Sequence, residues 1–139
     1  MKKLWLMVVI ALCSTSAFAR DDKFMIKVAD VLAMPEAGRL DPNIKFYFGK
    51  QKAPQGENRG EVVVNPKTNA ANKSDEQACK WVVLSALVDL QARAKAMGAT
   101  SIVNIESFYK KVPFSSETEV ECHAGTFVAG AALRGTLMK

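Results

Sequence analysis

Cysteine and histidine are the first residue types here whose spacing could carry chemistry. The chain has three cysteines, Cys13, Cys79 and Cys122, and one histidine, His123, directly after Cys122. Cys79 and Cys122 could pair with each other, or could join His123 in binding a soft metal. A metal site of that kind needs converging ligands, commonly with a C-x-x-C spacing, and neither cysteine has such a companion. If the segment around Cys122 is a strand, Cys122 and His123 also point to opposite faces. A disulfide between Cys79 and Cys122 is therefore the expectation, with no metal and no cofactor. The two cysteines lie 43 positions apart, and closing a loop of that length is worth about 4 kcal/mol in the chain-entropy model.

Other catalytic arrangements fail on inspection. Gly49-Lys50 lacks the earlier glycine and the following Ser or Thr of a phosphate-binding loop. His123 has no G-x-S-x-G serine to activate. Asp89 and Glu106 fall on different expected elements with nothing to bring them together, so they read as solvated charges rather than an acid–base pair. No enzymatic activity is expected. Basic residues never run beyond Lys110-Lys111 and alternate with acidic ones, which argues against nucleic-acid binding.

The N-terminus sets the compartment. Lys2 and Lys3 precede an apolar run, Leu4 to Leu12, and then Ala17-Phe18-Ala19, an A-x-A cleavage pattern. The run is shorter than the roughly 20 residues of a spanning helix. It reads as a secretory signal, residues 1–19, cut between Ala19 and Arg20. Cys13 sits where a lipoprotein signal would place its acylated cysteine, but Leu12 stands where that signal wants a small residue, so Cys13 is expected to leave with the signal. The formal charge of +5 falls to +3 when Lys2 and Lys3 depart. What remains, residues 20–139, is long enough for one domain, periplasmic or secreted and not transmembrane after cleavage of the signal. An oxidising compartment suits the disulfide.

The elements that must position these residues centre on Ser74 to Ile105. Ser74 is a good N-cap, with Gln77 at capping-box spacing and Asp75 and Glu76 on the positive end of the helix dipole. Cys79, Val83, Ala86, Leu90, Ala94 and Met97 form an apolar stripe, and Trp81, Val82, Leu84 and Val88 widen it. The first half of this helix must therefore be buried from more than one side or covered by a partner. Gly98 is placed to end it in a left-handed conformation.

Strands are expected at Lys23–Val31, Ile44–Gly49, Glu61–Asn65 and Thr100–Tyr109, with a last strand or pair of strands over Val120–Leu137. Lys50–Gly60 and Pro66–Lys73 read as polar connections. In the fourth strand, alternation puts Val103 and Ile105 on one face. In the last, Phe127, Ala129, Ala131, Leu133 and Leu137 share one face, while Cys122 has the parity of Val128, Gly130 and Ala132. The Val128 face is expected to meet the helix, unless a bulge near Gly125 resets the register. The fold class is α+β: an antiparallel sheet of four to five strands with one long helix packed on one face and one disulfide. The turn Lys110–Glu119 carries Val112 and Phe114 in polar surroundings, and with Trp81 these are the candidate interaction surface.

At Ala92 to Ile105, ARAKAMGATSIVNI, the chain resembles the YbjQ-like and RcsF-like small α+β domains. The last strand, FVAGAALRG, and Arg59-Gly60-Glu61-Val62 are similar to elements of the same domains, and the resemblance covers about residues 60–137. Some secreted relatives carry the name of excinuclease subunits. The resemblance implies a non-enzymatic envelope protein that works through protein partners or self-assembly, with an envelope-stress role. It also implies that Cys122 matches a cysteine preceding the last strand and that Cys79 stands in for its partner. A periplasmic domain binding a small ligand or a metal is the alternative.

Overall fold

The computed structural model describes residues 20–139; the expected signal segment, residues 1–19 with Cys13 and Ala19, lies outside the described residues. The long helix is the centre of the molecule. It is α2 (Asp75–Ala96), and its ends form where the local chemistry dictates. The Ser74 hydroxyl accepts from the Gln77 amide at 3.1 Å. At the other end Gly98 takes φ +67°, and the Ala99 and Gly98 amides bond back to the Ala94 and Lys95 carbonyls at 2.8 and 3.2 Å. That double bond closes a Schellman cap and leaves the chain free to start a strand.

Two four-stranded sheets flank this helix, and the fold is α+β with the disulfide in place. The first sheet has the order β1-β6-β7-β4, made of β1 (Asp22–Lys27), β6 (Glu119–Ala124), β7 (Val128–Gly130) and β4 (Lys67–Asn69), all antiparallel. The second has the order β2-β5-β8-β3, made of β2 (Lys45–Phe48), β5 (Ser101–Ser107), β8 (Leu133–Met138) and β3 (Asn58–Val64). Its β2–β5 pair is parallel and the others are antiparallel. The chain passes from one sheet to the other through the buried Ala131 and Ala132.

Helix α2 packs against β6 and β7 of one sheet and against β3, β5 and β8 of the other. Val82, Val83, Leu84, Ala86, Leu87 and Leu90 are all buried. The apolar half is thus largely covered by the chain's own two sheets, with Trp81 and Val88 left half-buried. The disulfide joins the first turns of α2 to β6, with Cα atoms 5.7 Å apart and both residues fully buried.

Several sequence expectations change. The first strand stops at Lys27 and continues as the short helix α1 (Val28–Leu32), because Val28 and Val31, one helical turn apart, both bury. Lys67–Asn69, read as connection, pairs with β7. In β5 the ladder shifts between Val103 and Glu106, where Asn104 adopts φ +51°. Ile102, Ile105 and Ser107 therefore bury, and Val103 does not share the face of Ile105. After β6 the chain reverses at Gly125, whose amide bonds to the Val128 carbonyl at 2.8 Å. The register resets there: Ala129 packs inward with Cys122, while Phe127 and Val128 are exposed. Met97, past the last turn of α2, is also exposed rather than part of the core.

Candidate functional site

Register sets the first candidate. Lys23 pairs with His123, His123 with Gly130, and Gly130 with Lys67, so these four form one row across the outer face of the first sheet. Cys122 turns inward to its disulfide and His123 outward, as adjacent strand residues must. The imidazole does not stand free. Tyr109, in the turn after β5, stacks on it with ring centroids 3.4 Å apart and planes within 10°. Its Nε2 meets Glu121 Oε2 at 3.2 Å; its Nδ1 lies 3.3 Å from Asp21 Oδ1, and among the described residues that buried nitrogen has no hydrogen-bond partner.

Asp21 is the hub of this cluster. It accepts from the Tyr109 hydroxyl at 2.8 Å and faces Lys110 Nζ at 3.8 Å. The Tyr109 hydrogen bond, with help from His123 and Lys110, holds the Asp21 carboxyl below its ordinary range. Burial and the same bond push the Tyr109 phenol upward. Beside them Arg20 grips Asp75 at the start of α2 through two bonds of 2.9 and 3.1 Å, and also reaches Asp22 and the Gly125 carbonyl. A cleft of about 460 Å³ opens over this row, with Lys67, Phe127 and Val128 on its rim.

Each carboxylate of the cluster already has a cation, a phenol or an imidazole beside it, while the buried His123 Nδ1 has no hydrogen-bond partner among the described residues. Among the described residues, no group of three His, Cys, Asp or Glu side chains could hold a metal ion. Asp89 is exposed on α2, and Glu106 is taken by Arg134 of β8, which also lies over the Phe108 ring. The two carboxylates therefore form no pair.

The second candidate is an apolar groove of about 720 Å³ at the far end of β1. Val28, Leu32, Leu40, Ile44, Phe46 and Phe48 line it, with Glu117 and Lys45 at its margin. Its wall is the irregular 33–44 segment, which is held against α2 through Asp41. The Asp41 amide donates to the buried Gln91 Oε1 at 2.7 Å, and its carboxylate takes the Asn43 amide at 2.8 Å and Lys95 Nζ at 3.2 Å. Those bonds, the Asn43 amide foremost, lower the Asp41 pKa. Among the described residues β2 is an edge strand paired only with β5; Lys45, Phe46 and Phe48 of β2 line the groove, and the Phe48 amide donates to Gln51 Oε1 at 2.8 Å.

Of the residues singled out from the sequence, Val112 is exposed, Phe114 is partly so, and Trp81 is half-buried on α2. Phe114 is held by two bonds of 2.9 Å to Ser107. Val112 and Phe114 share one turn, and Trp81 belongs to a different element. Sequence reasoning missed Tyr109 and Asp21, and placed Phe127 on a strand face with Ala129, whereas the chain reverses at Gly125 and leaves Phe127 exposed. No helix among the described residues is long and apolar enough to cross a membrane. No family model, curated protein or solved structure matches the chain.

Proposed function

We propose that this protein is a non-enzymatic binding module of the bacterial envelope, exported by its N-terminal signal, which engages a protein partner or a second copy of itself. The observation that carries the reading is the groove beside β2. It is apolar and open, and it lies beside β2, an edge strand among the described residues whose Phe48 amide is covered by Gln51 Oε1 at 2.8 Å, so an apolar segment would be held chiefly through its side chains. The carboxylates of the His123 cluster are all engaged by neighbouring groups, which supports a role other than catalysis. The disulfide suits an oxidising compartment. The resemblance of residues 60–137 to YbjQ-like and RcsF-like domains supports the same class of role, including an envelope-stress function.

The test is photocrosslinking in the periplasm of intact cells. A crosslinking residue at Glu117, on the groove margin, is expected to give a discrete adduct that disappears when Leu32→Asp places a charge in the groove. The same probe at Lys73, exposed and outside the groove, is expected to give none. Identical adducts from both positions, or none from Glu117, would refute the reading. The alternative, a small apolar ligand in the same groove, predicts a retained non-protein mass in native mass spectrometry of the purified chain.

A further inference from the structure

The three most exposed large apolar side chains among the described residues are Phe127 at 71%, Val112 at 64% and Val128 at 51%. None of them lies on the groove. Phe127 and Val128 belong to the reversal between β6 and β7, and Val112 to the turn after β5. Tyr109, Phe127 and Val128 line the same cleft, and the Val112 amide bonds to the Tyr109 carbonyl at 3.0 Å. The two turn tips therefore stand at one end of the molecule.

Cations ring these tips. Lys110 has 73% of its side chain exposed and approaches a carboxylate only at 3.8 Å. Lys111 and Lys67 have no salt-bridge partner among the described residues. The Lys67 side chain lies over Gly130, where a Cβ would meet its Cδ and Nζ at 2.9 Å. The acidic groups nearby are already engaged: Asp21 by Tyr109, His123 and Lys110, Asp22 and Asp75 by Arg20, and Glu121 by His123. The backbone holds the display in place. Lys110 and Lys111 both take left-handed conformations, φ +50° and +62°, and the Tyr109–His123 stack anchors the turn to β6. Consecutive non-glycine residues are rarely held this way without surrounding structure that enforces it.

We propose that these two tips dock the protein on an anionic phospholipid surface, with Val112, Phe127 and Val128 entering between headgroups and Lys67, Lys110 and Lys111 facing phosphates. Separate apolar side chains on exposed turns, collared by lysines of which Lys67 and Lys111 have no ion-pair partner among the described residues, suit an interface that is itself half apolar and negatively charged. A protein partner needs a continuous patch of roughly 800 Å² per side, which two isolated tips do not offer.

The experiment is sedimentation of the mature chain, beginning at Arg20, with phosphatidylcholine vesicles prepared with and without phosphatidylglycerol. Binding is expected only to the anionic vesicles, weakening as salt is raised. Replacing Lys110 and Lys111 together with glutamine is expected to lower partitioning about 25-fold, roughly fivefold per lysine. Phe127→Ser is expected to lower it at least about tenfold, and Met97→Ser, an exposed apolar residue elsewhere, to leave it unchanged. All variants should melt as the parent does, because the altered side chains are exposed. Three results would overturn the proposal: no sedimentation with anionic vesicles, equal binding to neutral ones, or partitioning indifferent to Phe127→Ser. Tip variants that abolish self-association yet leave vesicle binding intact would assign the surface to a second copy and overturn it equally.

Discussion

Removing the cross-link between Cys79 and Cys122 tests the account of what holds α2 to the first sheet. The two residues lie 43 positions apart, and constraining a loop of that length in the unfolded chain is worth about 4 kcal/mol. Both sulfurs are fully buried, so Cys79→Ala/Cys122→Ala loses that term and also leaves a small void that adds to the cost. Against a typical net stability of about 5–15 kcal/mol, the variant should lose a third or more, with a melting temperature lower by about 15 °C. Urea unfolding of the oxidised chain, the reduced chain and the double variant separates the contributions. The reduced chain should lose the loop term, and the difference between reduced chain and variant reports the void. A loss below about 1 kcal/mol on reduction would refute the argument. So would a large loss in the alanine variant with none on reduction, because packing rather than the cross-link would then be the stabiliser.

Three further outcomes are expected. Gly98→Ala should cost about 1 kcal/mol in thermal or urea unfolding, since Gly98 sits at φ +67° and an added Cβ would make only an ordinary contact, 3.9 Å from Arg59 Nη1, and Gly98→Asn should cost less. Ser107→Ala should cost about 1–3 kcal/mol, because the fully buried Ser107 hydroxyl accepts the Glu121 amide at 2.8 Å and that amide would be left without a partner. The Arg20 hydrogen bonds hold the Asp75 carboxyl below its ordinary value. Their stabilisation is therefore present above the unfolded carboxyl pKa, about 3.9, and is lost as pH falls through the folded value. Arg20→Gln should flatten this acid dependence in urea midpoints taken from about pH 5 to about pH 2; an unchanged acid limb would refute the assignment.

What could be read from the sequence divides by the range of the signal. The ends of α2 are set within five residues, by Ser74 with Gln77 and by Gly98 with Ala94, and both are legible. The inward turn of Cys122 and the outward turn of His123 follow from strand alternation alone. The rest needed partners. Lys67–Asn69 has no apolar residue, and only pairing with β7 makes it a strand. Val28 and Val31 fit a helical turn, yet Val28 also continues the alternation of β1, so local pattern did not choose between them. The small residues from Ala129 to Ala132 carry one unbroken alternation, but the chain changes sheets inside it. The His123 cluster joins Glu121 and His123, two apart on β6, to Asp21 and Tyr109 from two other segments, and no spacing rule links those segments to β6. The site is tertiary in origin, whereas the helix that supports it is local.

The two candidate surfaces bear a fixed relation through β1. Arg20 and Asp21 line the cleft just before that strand, and Val28 lines the groove just after it. Six residues of strand separate them by roughly 20 Å. A chain held to a lipid surface by Val112 and Phe127 would turn the groove and the β2 edge away from the bilayer, toward the aqueous space where a partner segment arrives. The two surfaces also differ in what would disturb them. The tips depend on lysines and weaken with salt, while the groove is apolar and should respond to charge placed in its lining. Leu32→Asp should therefore remove the partner adduct without changing vesicle partitioning, and Phe127→Ser should do the reverse. If one substitution removed both, the groove and the tips would be parts of a single interface, and the assignment of separate roles to the two ends of β1 would fail.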